Sequence, residues 1–528
     1  MLRRVLQVLV AVSFGLVSVG MRAEVKLASV FGDHMVLQRG VKLPVWGWSK
    51  PGDVVTVTLG QATKTATTAG SGRWEVSFDA LPAGGPLAMA VIGSDAGERA
   101  KVILVKDILV GDVWLGSGQS NMDFRVAAGD RYWCGVMNEE AEVAAANWPQ
   151  IRMFKVGLKM TDVAEKDVQG QWMVTTPETV KDYSAVGYFL SRDLYEHLHV
   201  PIGFIDASYG ASTVQAWISP EAMQQHADYA YLLEAYAKAK TDWLKDGPAK
   251  TEAYEKAMPA WAEKAARELS EGKYEPRGPS LGDPGQNQHN PSVLFNGMIA
   301  PIVGYPIKGA VWYQGESNED AKSAAIYRSM METMIGDWRG RWGEGEFPFM
   351  YVQLANLGQL ALTPPERAPI AYVREQQRLN LSVPNTAMAV TIDIGDAGNV
   401  HPKNKQELCR RLALMARKLA YGETNVVASG PMYDGFTMDG GKVMVHFQHA
   451  EGGLATKGGT PIGFAVAGAD KKWVWAEAKI DNDAVVLTPP EGMTVVAVRY
   501  GYADNPPVNL FAKGENGLPA VPFKSDTW

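Results

Sequence analysis

At 528 residues the chain is too long for one ordinary domain, and its 46% hydrophobic, 21% charged composition is that of a soluble globular protein. A formal net charge of −7 leaves no basic footprint for nucleic acid, so an anionic substrate would need a local Arg or Lys. The two cysteines, Cys134 and Cys409, lack metal-ligand spacing, and no metal or organic cofactor is implied.

Residues 1–23 read as a secretory signal peptide. Met1-Leu2-Arg3-Arg4 is a basic start, 5–19 is apolar, and Ala23 suits the last residue before cleavage. A periplasmic or secreted protein is expected, with no membrane span once the signal is removed. Export permits a disulfide, but Cys409 falls in an amphipathic helix pattern, and two free thiols are expected.

From 24 to 104 the pattern is short and alternating. Segments 54–59 and 74–78 are strand-like and separated by Pro51-Gly52, Gly70-Ser71-Gly72 and Gly84-Gly85, which predicts an N-terminal β-sandwich-like domain. From 105 to 424 the rhythm becomes strand then helix. Apolar strands at 108–115, 202–207, 308–313, 349–355 and 387–394 alternate with helical stretches near 186–198 and 327–338, one opening at Pro369, and one near 404–421. That alternation predicts an α/β domain with a doubly wound parallel sheet. The stretch at about 220–272, rich in Ala, Glu, Lys and Tyr, interrupts it and reads as an inserted helical hairpin or pair, either a lid or wall of the cleft or a solvated decoration. From 425 to 528 strand candidates return at 442–447, 473–475, 484–487 and 495–500, a C-terminal β region.

The chemistry gathers at the end of the first α/β strand, in Gly116-Ser117-Gly118-Gln119-Ser120-Asn121-Met122. Ligand chemistry in open α/β sheets collects at the carboxyl ends of strands. A Ser in a Gly-rich loop is by itself usually a turn former. A serine nucleophile also needs a base, normally His. Of the eight histidines, His401 stands apart, following the last α/β strand and preceding the last helix, so that its loop projects at the same sheet edge as Ser120.

Five segments resemble the sialate O-acetylesterase family, within the SGNH hydrolases. They are Gly111-Asp112-Val113-Trp114 through Gly118-Gln119-Ser120-Asn121-Met122; Ser208-Tyr209-Gly210; Phe295-Asn296-Gly297-Met298-Ile299-Ala300-Pro301; Trp312-Tyr313-Gln314-Gly315-Glu316-Ser317-Asn318; and His401-Pro402-x-Asn404-Lys405. The resemblance covers 111 to about 412 and implies an SGNH-hydrolase-like sheet flanked by accessory β regions. It also implies roles. Ser120 attacks an acetyl carbonyl, His401 is general base and then acid, and the oxyanion hole comprises the N–H groups of Ser120 and Gly210 with the Gln314 side-chain amide. Asn121, Glu316 and Asn318 would brace these loops or touch substrate. Many SGNH hydrolases carry an Asp three residues before the His; here that position is Gly398. Asp396 is the nearest carboxylate and the first choice, with Asp393 or a main-chain carbonyl as alternatives that orient His401.

The substrate implied by the resemblance is an O-acetylated sugar or glycan, an O-acetylated sialic acid first. A sialic acid carries a carboxylate, for which Arg125 and Arg374 are candidates, and Trp133, Trp217 and Trp312 would suit stacking on a sugar ring. Rival readings are an acetylesterase acting on xylan or other plant polysaccharides, a glycosidase, which would leave Ser120 and His401 without a task, and an inactive carbohydrate-binding protein.

Overall fold

One strand, Ile103–Gly118, changes character along its length, and the two largest parts of the molecule meet at that change. The protein is described here by a computed structural model covering residues 24–93, 102–271, 278–514 and 517–528; the signal peptide expected at 1–23 lies outside them. The first half of the strand alternates between exposed and buried residues. It pairs antiparallel with Gly84–Gly93, Met89 opposite Val105, and parallel with Val36–Gln38. From Asp112 onward every residue is buried, as a parallel strand covered on both faces must be. The strand thus runs straight through the 104/105 position at which the sequence places a boundary.

The α/β sheet contains β1 (Ile103–Gly118), β2 (Trp148–Lys155), β3 (Trp172–Thr175), β4 (Ile202–Ser208), β5 (Gly309–Tyr313), β6 (Phe349–Val352) and β7 (Thr386–Ala389). Their spatial order is β3-β2-β4-β1-β5-β6-β7, with β3 antiparallel to β2 and the others parallel. Without the β2–β3 edge pair, five parallel strands remain in the order 2-1-3-4-5, the flavodoxin-like doubly wound arrangement, whose switch point lies between β1 and β5.

Alternate side chains along each strand feed two cores. Val113, Leu115, Ile205, Trp312 and Tyr351 join one face, with helices α3 (Tyr327–Trp342) and α4 (Pro369–Leu379). Trp114, Phe204, Val311, Tyr313 and Met350 join the other, with α1 (Ala185–Leu198) and α5 (Lys405–Leu419). The first core is continuous with the N-terminal sandwich through Val45, Trp46, Trp74 and Val76. Cys134 and Cys409 are both free and buried.

The insertion is not a helical pair. After a short helix at Pro220–Gln224 it forms one 41-residue helix, α2 (Ala230–Ser270), about 60 Å long at 1.5 Å per residue. Pro248 and Pro259 each forgo a backbone donor, yet neither ends the helix, so its halves run on as one rod instead of folding back. Tyr236 near its start is buried, whereas Leu244 is 81% exposed, which is how a largely solvated arm reads.

The C-terminal region has two four-stranded sheets and a two-stranded ribbon around a core of its own, including Val445, Phe464, Val485 and Tyr500. It is held to the α/β body by Arg374 of α4. This buried guanidinium donates to the carbonyls of Leu354 and Ala355 on one side (2.7 and 2.6 Å) and of Ala503 and Asp504 on the other (2.6 and 2.7 Å). Burial brings its pKa down to about 10, still charged at neutral pH. Replacing it strands buried carbonyls, each costing roughly 1–3 kcal/mol. Arg374→Met should therefore lower the stability measured by urea denaturation by about 3 kcal/mol or more; an unchanged midpoint and slope would show that the seam does not depend on this residue.

Candidate active site

The turn that carries Ser120 is pinned on both sides as it leaves β1. The Gln119 N–H donates to Tyr313 O of β5 (3.0 Å), and the Tyr209 N–H beyond β4 donates to Gly118 O (3.0 Å). Gly118 has φ of +134°, and a Cβ there would lie 2.2 Å from Tyr313 O, so only glycine fits. The turn closes as Met122 and Asp123 donate their N–H groups to Gln119 O (2.8 and 3.1 Å). Below it, Lys155 of β2 reaches Asp123 (2.5 Å) and Asp206 of β4 (2.6 Å), while Arg131 takes the other oxygen of Asp123 (2.6 Å). Burial pulls the Lys155 ammonium down, but Asp206 and Asp123 together outweigh it and hold its pKa above the ordinary value.

His401 arrives from the opposite side, three residues before Asn404, whose side chain caps α5 by accepting the Glu407 N–H (3.1 Å). Its Nε2 lies 2.8 Å from Ser120 Oγ, hydrogen-bond distance for a base and its nucleophile. The imidazole packs against Trp133, ring centroids 4.6 Å apart, with Phe124 behind. Burial, and then the nearby Lys405 cation, bring its pKa down to about 4. The resting imidazole is therefore neutral, as a general base must be.

No carboxylate completes a triad among the described residues. Asp396 is exposed, and its carboxylate accepts the Gly398 N–H (2.9 Å), closing a tight turn upstream of the histidine. Asp393 is taken by Arg411 in a two-pronged pair (2.7 and 2.8 Å). Asp396, the first choice from the sequence, makes no hydrogen bond to His401 among the described residues, and the bond its carboxylate does make is to its own turn. The His401 loop is fixed through its main chain instead. Asn399 Oδ1 accepts the His401 N–H (2.9 Å), and Asn121 Nδ2 donates to Val400 O (2.9 Å).

The expected oxyanion donors divide. Gly210 stands beside the nucleophile, where a Cβ on it would be 3.9 Å from Ser120 Cβ. Neither the Ser120 nor the Gly210 N–H donates to an acceptor among the described residues, which leaves both for a ligand. Gln314 does not join them. It is fully buried, and its amide donates to Ser212 O (3.0 Å) and Asn318 Oδ1 (2.8 Å), so both hydrogens are used inside the core. Asn318 braces the same loop, accepting the Val214 N–H (3.0 Å) and donating to Gln215 (3.1 Å). Beside Ser120, Gln119 turns its carbonyl oxygen to the N–H groups of Gly315 and Ser317 (3.4 and 3.3 Å). Its own NH2 donates to nothing among the described residues, a free donor that the motif alone did not single out.

Asn121, Glu316 and Lys405 form a buried row behind the site. Asn121 donates to Glu316 (2.7 Å) and accepts from Lys405 (2.7 Å). Burial pushes the Glu316 carboxyl up, and its Oε2 has no partner among the described residues; burial brings the Lys405 ammonium down to about 7. Lys405 also faces the rings of Phe124 and Tyr313 (4.6 and 5.0 Å). Sequence reasoning quoted Lys405 without giving it a role. The available signal was a cation in the first helical turn, where the macrodipole disfavours it.

The arginines and tryptophans expected at the sugar are mostly committed elsewhere. Arg125 bridges Asp130 and Asp182 (3.0 and 2.9 Å), and Arg374 is internal. Trp217 and Trp312 are fully buried core residues; Trp133 alone of the three is at the site.

The chain is also similar to known proteins. A family described as "Carbohydrate esterase, sialic acid-specific acetylesterase" matches residues 290–418. The chain is 30% identical over 444 residues to a sialate O-acetylesterase of Mus musculus, covering 77% of this chain and 75% of that protein. It is 29% identical over 543 residues to one of Homo sapiens, covering 94% and 92%. Among solved structures, a carbohydrate acetylesterase from Xanthomonas citri matches with a TM-score of 0.78 and 34% identity, over 96% of this chain and 100% of that one.

Ser120→Ala and His401→Ala should each lower kcat/KM on p-nitrophenyl acetate by at least ~10³-fold. Asp396→Asn should stay within a few-fold of the native rate, and a loss of orders of magnitude would return that carboxylate to the site. The low pKa of His401 predicts that activity rises with pH through about 4 as the imidazole loses its proton, well below the ordinary histidine range. Lys405→Met removes the cation that disfavours imidazolium, so the acid limb should move to higher pH; a limb that stays put would mean that Lys405 does not act on His401.

Proposed function

The chain belongs to the sialate O-acetylesterase family, and from that premise we propose that it removes O-acetyl groups from sialic acids through a serine acyl-enzyme on an SGNH-type sheet. The observation that carries the mechanism is the 2.8 Å contact between Ser120 Oγ and His401 Nε2 beside two uncommitted backbone N–H groups. Ser120 Oγ attacks the acetyl carbonyl as His401 accepts its proton. The negative charge that develops on the carbonyl oxygen is met by the N–H groups of Ser120 and Gly210, with the free amide of Gln119 as the third donor in place of Gln314. The tetrahedral intermediate collapses to acetyl-Ser120, and His401 returns the proton to the departing sugar hydroxyl. A water, deprotonated by the same imidazole, then releases acetate.

The reaction runs on a Ser–His pair. Tautomer and aim come from the clamped loop, Trp133 and the Ser120 hydroxyl, in place of a carboxylate. The N-terminal basic and apolar stretch supports export to the periplasm or beyond.

A second reading is favoured by the arginines. Neither Arg125 nor Arg374 is free to take a sialic acid carboxylate, which suits a neutral acetylated sugar such as that of xylan. Acetate release from 9-O-acetyl-N-acetylneuraminic acid should exceed that from acetylated xylan by at least about tenfold in kcat/KM, the factor worth 1.4 kcal/mol of transition-state binding. The reverse preference would replace the sialic acid reading with the plant-polysaccharide one, while esterase chemistry at Ser120 would stand.

A further inference from the structure

Between the turn after β5, the start of α4 and the C-terminal β region lies a cavity of about 540 Å³, within the range of small-molecule sites. Its aromatic surface comes from two separate parts of the fold, Tyr372 from α4 and Tyr502 and Trp528 from the C-terminal region. Trp528 is 43% exposed, yet its main-chain carbonyl accepts from Lys524 (3.2 Å) and its ring lies 4.9 Å from the Lys471 ammonium. A tryptophan ring this exposed at a cavity wall offers a platform for a flat apolar face.

The polar lining is equally unfinished. Arg499, only 5% exposed, is sandwiched between Trp473 and Tyr502 (3.9 and 4.2 Å) and gives Nε and Nη2 to Asp526 (2.8 and 2.7 Å). Its Nη1 is buried without an acceptor among the described residues. Buried donors are nearly always satisfied, so Arg499 stands at the cavity wall with one donor left over. Glu319, Glu366 and Arg367 line the same space and make no hydrogen bond among the described residues. Three acids (Glu319, Asp320, Glu366) and three bases (Arg367, Arg499, Lys524), set against aromatic rings, match a neutral ligand rich in hydroxyl groups better than an anion or a cation. That is the chemistry of a sugar ring, apolar on its C–H face and polar at its edge.

The cavity and the Ser120 turn share one connecting segment, the turn after β5. Glu319 is two residues beyond Ser317, whose N–H donates to Gln119, the neighbour of Ser120 (3.3 Å). We propose that this cavity is a subsite for a further sugar of the glycan whose acetyl group is removed at Ser120. The inference rests on the carbohydrate esterase reading above. A long glycan is held at two points, and binding energy from the remote sugar favours the acetyl ester at the nucleophile.

The test compares free 9-O-acetyl-N-acetylneuraminic acid with the same acetylated residue in sialyllactose, using the full chain. The native protein should show a KM at least roughly tenfold lower for the trisaccharide, the contribution of about one good aromatic contact. Trp528→Ala and Tyr372→Ala should erase that difference while leaving the rate on p-nitrophenyl acetate unchanged. Equal KM values in the native protein, or a difference that survives both substitutions, would overturn the subsite. If neither sialyl substrate releases acetate although p-nitrophenyl acetate is hydrolysed, the sialic acid reading fails. The same comparison of acetylated xylose with acetylated xylo-oligosaccharides then decides the subsite by the same criteria.

Discussion

Asn121 touches three segments far apart in the chain, and the site's geometry follows from its reach. Its NH2 spans Val400 O and Glu316, and its carbonyl oxygen accepts from Lys405. The neighbouring residue is Ser120, so the nucleophile turn, the turn after β5 and the histidine loop are joined through one amide. Only an amide suits this place. An aspartate would face Glu316 as a second carboxylate and would leave Val400 O without a donor. Hydrogen bonds of this kind to charged groups contribute about 1.5–3 kcal/mol each. Here that energy fixes loops where many serine hydrolases use a third catalytic side chain.

The electrostatics of the pair differ accordingly. In a Ser–His–Asp triad the carboxylate steadies the imidazolium that forms during attack. Here Lys405 and an aromatic cover of Trp133 and Phe124 work in the opposite direction, holding His401 neutral and strongly prone to give its proton back. A readily returned proton assists expulsion of a sugar hydroxyl, whereas the attack step gains less from the base. More of the catalysis then falls on the donors around the oxyanion, and the rigid footing of Ser120 and Gly210 on Lys155, Asp123 and Asp206 matters for that reason.

Much of this was legible in the sequence, for identifiable reasons. Fully buried parallel strands read as uninterrupted apolar runs, and the end of such a run in Gly-Ser-Gly-Gln-Ser placed Ser120 at the sheet edge. His401 was legible from its position between a strand and a capped helix. What chain position does not encode is how side-chain hydrogen bonds are shared out. Gln314 carries the right amide at the right strand end, but Ser212 and Asn318 consume it, and Gln119 holds the uncommitted one. Asp396 is near His401 in the chain, but the hydrogen bond its carboxylate makes is to Gly398 of its own turn. The long helix escaped for a different reason, because periodicity reports a helical face without reporting whether the chain turns back.

The strand from Ile103 to Gly118 joins the N-terminal strands and the α/β strands into one 11-stranded sheet. Its early residues hold the sandwich together and its late residues deliver the nucleophile, with Asp112, gripped by Arg39 and Tyr421, at the crossing. The N-terminal region is therefore not a detachable module. A cut on either side of the crossing would leave a raw strand edge in one part of the sheet and remove a central rung from the other. Grafting or exchange of the N-terminal region in this architecture would have to carry the catalytic strand with it, so the accessory sandwich and the reacting serine are inherited together.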